Sequence, residues 1–196
     1  MQPHPPIIHH PKEQGFLKVL LDQIIRYDIA FLKYLTGLSL PNALVKGLIF
    51  LVRIGDGYIW IFIAIALWKT LPMSQFQSLV LHCILAILIS LALYWPIKLL
   101  IRRPRPHNAG LGIVSRVPPL DKYSFPSGHT MNNLAVALTL ALYLPKFFIV
   151  ALVFPLILGL LRILFGVHFL SDIAAGAILG GIGFFFAKLL FPFFHF

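Results

Sequence analysis

From Tyr58 onward the chain alternates long apolar runs with short polar interruptions. The runs cover 58–71, 76–101, 131–144, 146–165 and 173–194. About 20 apolar residues cross a bilayer, so these lengths suffice, with 58–71 and 131–144 needing their polar flanks. No period-two alternation of the kind a half-buried strand shows is present. The pattern predicts an all-α integral membrane protein, a helical bundle of five transmembrane helices. Gly176, Gly180, Gly181 and Gly183 recur at near-helical spacing in the last run, which predicts close helix contact in lipid. Trp60 and Trp68 read as interface anchors.

Upstream of Tyr58 the pattern changes. Between Phe16 and Leu40 apolar residues are interleaved with Lys18, Asp22, Arg26, Asp28 and Lys33, a charge density that suits a helix lying in the membrane interface. Leu38 to Val52 is more apolar but is broken by Pro41 and carries Lys46. It fits either a sixth, short or tilted span or a second interfacial piece. The expected organisation is one membrane domain over 1–196. Residues 1–56 form a flexible tail and interfacial helices, and 57–196 form the transmembrane bundle.

Composition narrows the classes. Only 11% of the 196 residues are charged and 59% are hydrophobic, against roughly a quarter charged in soluble domains. The net charge of +10 therefore points to cytoplasmic loops, anionic headgroups or an anionic substrate rather than to nucleic acid. Cys83 is the single cysteine, so no internal disulfide forms, and it reads as a packing residue. Met1 to Gly15 lacks a continuous apolar core and is not a signal peptide. Its His4, His9 and His10 sit in a Pro-rich segment that reads as flexible.

Three polar clusters break the apolar pattern. One is Lys98 with Arg102-Arg103-Pro104-Arg105-Pro106. The second is Phe125-Pro126-Ser127-Gly128-His129-Thr130. The third is Arg162, His168 and Asp172. Antiparallel helices bring all three to one membrane face, and ionisable groups at membrane depth are costly and usually functional. In the second cluster, Pro126 stops a preceding helix, Ser127 is a good N-cap, and Gly128 lets a ligand approach the first N–H groups of the next helix. Lys98, Arg105 and Arg162 offer cationic donors, two of them able to grip an oxyanion in bidentate fashion. Two histidines can supply the nucleophile and the proton donor of a phosphoester hydrolysis. If the segment is helical, Asp172 shares a face with His168 four residues earlier and can fix its tautomer. With so much fixed positive charge, a metal is unnecessary. Arg102, Arg103, Arg116 and Lys122 read as headgroup-facing charges, His82 and His195 as incidental, and Asp56, between two glycines, as a turn or cap residue.

In order and spacing, Lys98-x6-Arg105-Pro106, Pro126-Ser127-Gly128-His129 and Arg162-x5-His168-x3-Asp172 resemble the three-part signature of the type-2 phosphatidic acid phosphatase superfamily. That superfamily also contains the vanadium haloperoxidases. The signature covers Lys98 to Asp172, and the bundle extends the likeness to about residues 45–194. Leu161 departs from it, since the third motif usually begins Ser-Arg. The resemblance implies that His168 is a nucleophile forming a phosphohistidine, that Asp172 orients it, and that His129 is the general acid and later the base. It implies that Lys98, Arg105, Ser127, Gly128 and Arg162 cradle the phosphate, with no metal or other cofactor. The implied substrate is a membrane lipid phosphate: undecaprenyl diphosphate, phosphatidylglycerophosphate, phosphatidic acid or the phosphates of lipid A.

Three alternatives stand beside this one. A lipid phosphotransferase would use the same intermediate, an anion channel or transporter would use the same cations, and haloperoxidase activity is a third. Orientation is contested between two arguments. Arg102, Arg103, Arg116 and Lys122 on the site's side place it in the cytoplasm by the positive-inside rule, whereas resemblance to bacterial relatives places it on the periplasmic face of the inner membrane. The periplasmic placement is the one expected, because basic residues serving anionic headgroups weaken the charge rule.

Overall fold

The computed structural model describes residues 15–193. The Pro- and His-rich segment with His4, His9 and His10, and His195 at the other end, lie outside the described residues. Among the described residues seven α-helices carry the fold: α1 (Phe16–Thr36), α2 (Asn42–Arg53), α3 (Ile59–Thr70), α4 (Met73–Ile101), α5 (Gly128–Tyr143), α6 (Phe148–Leu164) and α7 (Leu170–Leu190). The all-helical expectation holds, and the helix count differs slightly.

Four stretches among the described residues are long and apolar enough to cross a membrane: Asn42–Thr70, Met73–Ile101, Pro145–Leu164 and Leu170–Phe193. The fifth expected span is α5, a helix of 16 residues. It is shorter and more polar, and α4, α6 and α7 all pack against it. Its buried side includes Thr130, Asn133 and Thr139 beside Met131, Leu134 and three alanines. A helix enclosed in this way can carry polar side chains, because protein groups rather than lipid satisfy them. Asn133 and Thr139 do bond to backbone carbonyls.

Residues 38–52 contribute α2, which begins at Asn42. α2 and α3 form one 29-residue helical stretch, Asn42–Thr70, joined by a π turn at Ile54–Tyr58. Pro41 precedes the first residue and acts as its N-cap, which is why it does not break the helix. Gly57 takes φ 128°, a conformation open to glycine at little cost, and the helix kinks there. α2 packs on α6, with Val52 buried against Val117, Leu161 and Phe165. The division at 56/57 falls at the kink between α2 and α3. Leu161, standing where the third motif usually has serine, spends its side chain in this apolar contact.

The glycine stripe behaves as its spacing implies. A Cβ on Gly176 would lie 2.4 Å from the Ser127 carbonyl oxygen, and one on Gly180 would lie 2.4 Å from that of Met131. A Cβ on Gly183 would meet the Ser90 hydroxyl of α4 at 1.9 Å. These three let α7 lie backbone-close to α5 and α4; Gly181 faces open space.

α1 packs on α6 and α7, with Leu32 fully buried against Ile163, Phe169 and Ile173. Its Asp28 is 2% exposed and makes three polar contacts. It accepts from Arg103 Nη2 at 2.7 Å and from the Ser171 N–H at 2.8 Å, and the Ser171 hydroxyl also donates to it. Replacing Asp28 with alanine removes one of the two carboxylates on a largely buried guanidinium and leaves the partly buried Ser171 N–H unpaired. The expected cost is about 3 kcal/mol, read as a lower thermal midpoint in detergent with partial recovery in Asp28→Asn. An unchanged midpoint would show that α1 is not anchored through this residue.

Candidate active site

All eight predicted site residues lie at one end of the bundle, where α4 ends, α5 begins and the α6–α7 turn returns. Lys98 is in the last turn of α4, and its Nζ donates to Tyr94 Oη at 2.6 Å and to Asp121 Oδ2 at 2.9 Å. Arg105 follows in the α4–α5 connection. Its Nε donates to the Asp121 carbonyl at 2.9 Å, its Nη2 to Asp121 Oδ1 at 2.7 Å, and its Nη1 to the Val167 carbonyl at 3.0 Å. The same Nη1 stands 3.3 Å from His168 Nε2. A planar fork of donors suits such a junction, whereas a lysine could reach only one of these acceptors well.

His168 is 1% exposed in the turn ahead of α7. Its Nδ1 lies 3.4 Å from Asp172 Oδ2. That separation is too long for a well-formed hydrogen bond, and Nδ1 has no other partner among the described residues. The contact is chiefly electrostatic and still selects the tautomer with hydrogen on Nδ1. Asp172 is held more firmly than its partner. Its Oδ2 accepts the Phe169 N–H at 2.8 Å, and its Oδ1 accepts Arg103 Nη1 at 2.9 Å. Its backbone carbonyl accepts the Ser127 N–H at 3.0 Å, which ties the second motif to the third.

Burial pushes the His168 imidazole down to about 4, helped by Arg105 and Arg162 and opposed by Asp172. The ring is neutral at pH 7, with a lone pair on Nε2. In the unfolded chain an imidazole takes a proton near pH 6.5, so between 6.5 and about 4 the unfolded state binds more protons and stability falls with falling pH. The thermal midpoint in detergent is expected to drop more steeply over this window in the natural chain than in His168→Gln. Parallel slopes would overturn that assignment.

Ser127 caps α5 as its sequence predicted. It is fully buried, and its Oγ accepts from Thr130 Oγ1 at 3.1 Å. Gly128 lies under Tyr94, whose hydroxyl would be 2.9 Å from any Cβ, so only glycine leaves this approach open. His129 follows in the first turn of α5.

Asp56, read from sequence as a turn residue, sits in the π turn and bonds to Arg162 Nη2. Its Oδ1 is 3.1 Å from His129 Nε2, and its Oδ2 is 3.5 Å from Arg53 Nη1. Asn133 Nδ2 bridges the Gly55 carbonyl at 3.0 Å and the His129 carbonyl at 2.8 Å, fixing the turn to α5. Trp60 is no interface anchor: its Nε1 donates to Asn133 Oδ1 at 2.8 Å. Asp56, Asp121, Tyr94, Gly128, His129 and Trp60 share the walls of a cavity of about 400 Å³.

Arg103 also departs from its expected headgroup role, since it bonds to Asp28, Ser171 and Asp172 and lies 3.9 Å from the Phe169 ring centroid. Arg102, Arg116 and Lys122 are exposed. His82 is buried far from the site and stacks on Phe191 at 4.5 Å. One signal pointed to the missed residues. The chain has six acidic residues, and Asp28, Asp56, Asp121 and Asp172 are four of them; acids this scarce in an apolar chain are present to partner something.

Asp121 shows what the cations attract. Burial raises its carboxyl, but bonds to Lys98 and Arg105 outweigh that and hold it below the usual carboxylate range. Asp121 on Lys98 and Arg105, and Asp56 on Arg162, place carboxylate oxygens on donors that the resemblance implies for phosphate.

Comparison with known proteins shows the family. A decaprenylphosphoryl-5-phosphoribose phosphatase of Mycobacterium tuberculosis is 41% identical over 88 residues, 43% of this chain and 45% of that protein. An undecaprenyl-diphosphatase of Sulfolobus acidocaldarius is 28% identical over 134 residues, 68% of this chain and 64% of that protein. The chain thus spans about half to two thirds of the length of these curated relatives. A transmembrane PAP2 type phosphatidylglycerolphosphate phosphatase from Bacillus subtilis shares the fold, with TM-score 0.67 and 22% identity over 89% of each chain. With the PAP2 superfamily model matching residues 79–195, a stretch that holds all three motifs and most of the bundle, the chain belongs to the PAP2 superfamily.

Proposed function

We propose that this integral membrane protein removes a terminal phosphate from a membrane lipid phosphate or diphosphate through a phosphohistidine on His168. One observation carries the proposal: the cations of the first and third motifs, Lys98, Arg105 and Arg162, already hold oxyanions, the carboxylates of Asp121 and Asp56. A phosphate is a larger oxyanion of the same kind and can replace them on Lys98, Arg105 and Arg162, with Ser127 and the α5 N–H groups beside Gly128 as further donors.

In the first step His168 Nε2 attacks phosphorus and the bond to the lipid oxygen breaks. The leaving oxygen takes the electron pair and a proton from His129. Asp172 stabilises the positive charge that develops on the His168 ring. In the second step His129, now neutral, accepts a proton from water as that water attacks the phosphohistidine, and the N–P bond breaks to give inorganic phosphate and neutral His168. Arg105, Lys98 and Arg162 stabilise the equatorial oxygens in both transition states. These fixed charges fill the role a metal would otherwise take, so phosphate release is expected to survive chelator.

The relatives named above act on polyprenyl-linked or glycerolipid phosphates, which favours a lipid substrate whose tail stays between helices. A phosphate-release screen across undecaprenyl diphosphate, phosphatidylglycerophosphate, phosphatidic acid and lipid A, in detergent with and without chelator, tests the proposal. No release from any of them would defeat it. Adding an acceptor lipid separates a phosphotransferase from a hydrolase. We place the site on the periplasmic face of a bacterial inner membrane. A topology reporter at the C-terminus, opposite the site, should then read cytoplasmic; a periplasmic signal would reverse the placement.

A further inference from the structure

We propose that Asp56 is a positioning residue for His129, forming a second carboxylate–imidazole pair that favours the protonated form of the proton donor and aims it into the cavity. This rests on the phosphatase reading above, in which His129 must carry a proton when the lipid oxygen leaves.

The geometry differs from that of the His168 pair. His168 lies 3.4 Å from its carboxylate, whereas His129 Nε2 is 3.1 Å from Asp56 Oδ1, within reach of a charge-assisted bond. Beyond its bond to Arg162, the carboxylate is placed by the turn that carries it. The kink at Gly57 displaces the turn from a straight helical path, and Asn133 joins the Gly55 carbonyl to the His129 carbonyl. A carboxylate and an imidazole on two different helices are thereby kept in one register.

The surroundings of His129 make such a partner necessary. Burial disfavours an imidazolium there, and so do Arg162, facing it from α6, and Arg105, facing it from the α4–α5 connection. Lys98 lies beyond Asp121 on α4, Arg53 stands behind Asp56, and Asp121 and Tyr94 line the same cavity. Asp56 is the carboxylate in direct contact with the ring. When a phosphate takes over Arg162, Asp56 is released from that guanidinium and retains His129.

Two measurements test the assignment. The first is the pH profile of phosphate release by Asp56→Asn and Asp56→Glu, with the natural chain as reference and His168→Ala as blank. Loss of the carboxylate should move the alkaline limb down by about one pH unit. Activity would then fall most at high pH and recover toward acid, with Asp56→Glu keeping part of the natural profile. A uniform loss at every pH would mean a purely structural role and overturn the proposal. The second is the ring titration of His129 followed by NMR in detergent, which needs no turnover. Its midpoint should fall in Asp56→Asn, and an unchanged midpoint would also overturn the pairing. If the natural chain releases no phosphate, the functional proposal fails, while the titration still decides whether Asp56 and His129 are coupled.

Discussion

His168→Ala is expected to lower phosphate release by at least about 10,000-fold, because no other group at the site can form the phosphohistidine. His129→Ala should cost less, roughly 100- to 10,000-fold, since water can protonate a leaving oxygen poorly but cannot replace a nucleophile. Initial rates on the lipid phosphate that the screen identifies provide the measurement. The alanine variant should still purify as a monodisperse protein, because it removes a side chain whose ring nitrogens make only long contacts at 3.3 and 3.4 Å. Retention of more than a few per cent of the rate would sink the covalent mechanism. An anion channel predicts something different: flux through liposomes that persists in the same variant.

The second large effect is structural. Gly176→Leu should prevent the bundle from closing, because a Cβ at this position lies 2.4 Å from the Ser127 carbonyl oxygen, and that atom belongs to backbone that no rotamer change can move. To fit the new side chain α7 must retreat from α5. Retreat separates the Asp172 carbonyl from the Ser127 N–H it accepts at 3.0 Å, and with it the third motif from the second. The variant should aggregate in detergent or lose its cooperative thermal transition, at a cost of several kcal/mol. Gly181→Leu on the same helix is the control, since nothing lies within 4 Å of its Cβ position. Equal behaviour of the two variants would refute close packing as the reason for the stripe.

The sequence revealed these two residues for different reasons. His168 was legible because imidazoles and guanidiniums are conspicuous in apolar runs, and their spacing was enough to bring three clusters to one end. Gly176 was legible because small residues at helical spacing leave few other readings. The acids were harder to place. Asp56 lies between two glycines, a pattern that signals a turn, and whether a turn ends a helix or kinks it depends on what packs against either side. Here α2 finds α6, and the helix resumes. Arg103 was harder still: with Arg102 it forms a pair of like charges at a helix end, one exposed and the other drawn inward by Asp28, 75 positions away. Contacts of that range leave no local trace in composition or period.

The PAP2 model match begins at residue 79, yet Asp28, Asp56 and Trp60 reach the site from ahead of it. From the stretch ahead of that match, one carboxylate reaches Asp172 through Arg103 and another touches His129. Two relatives could therefore agree in every motif and still differ in what surrounds their histidines, because Asp28 and Asp56 lie outside the three motifs.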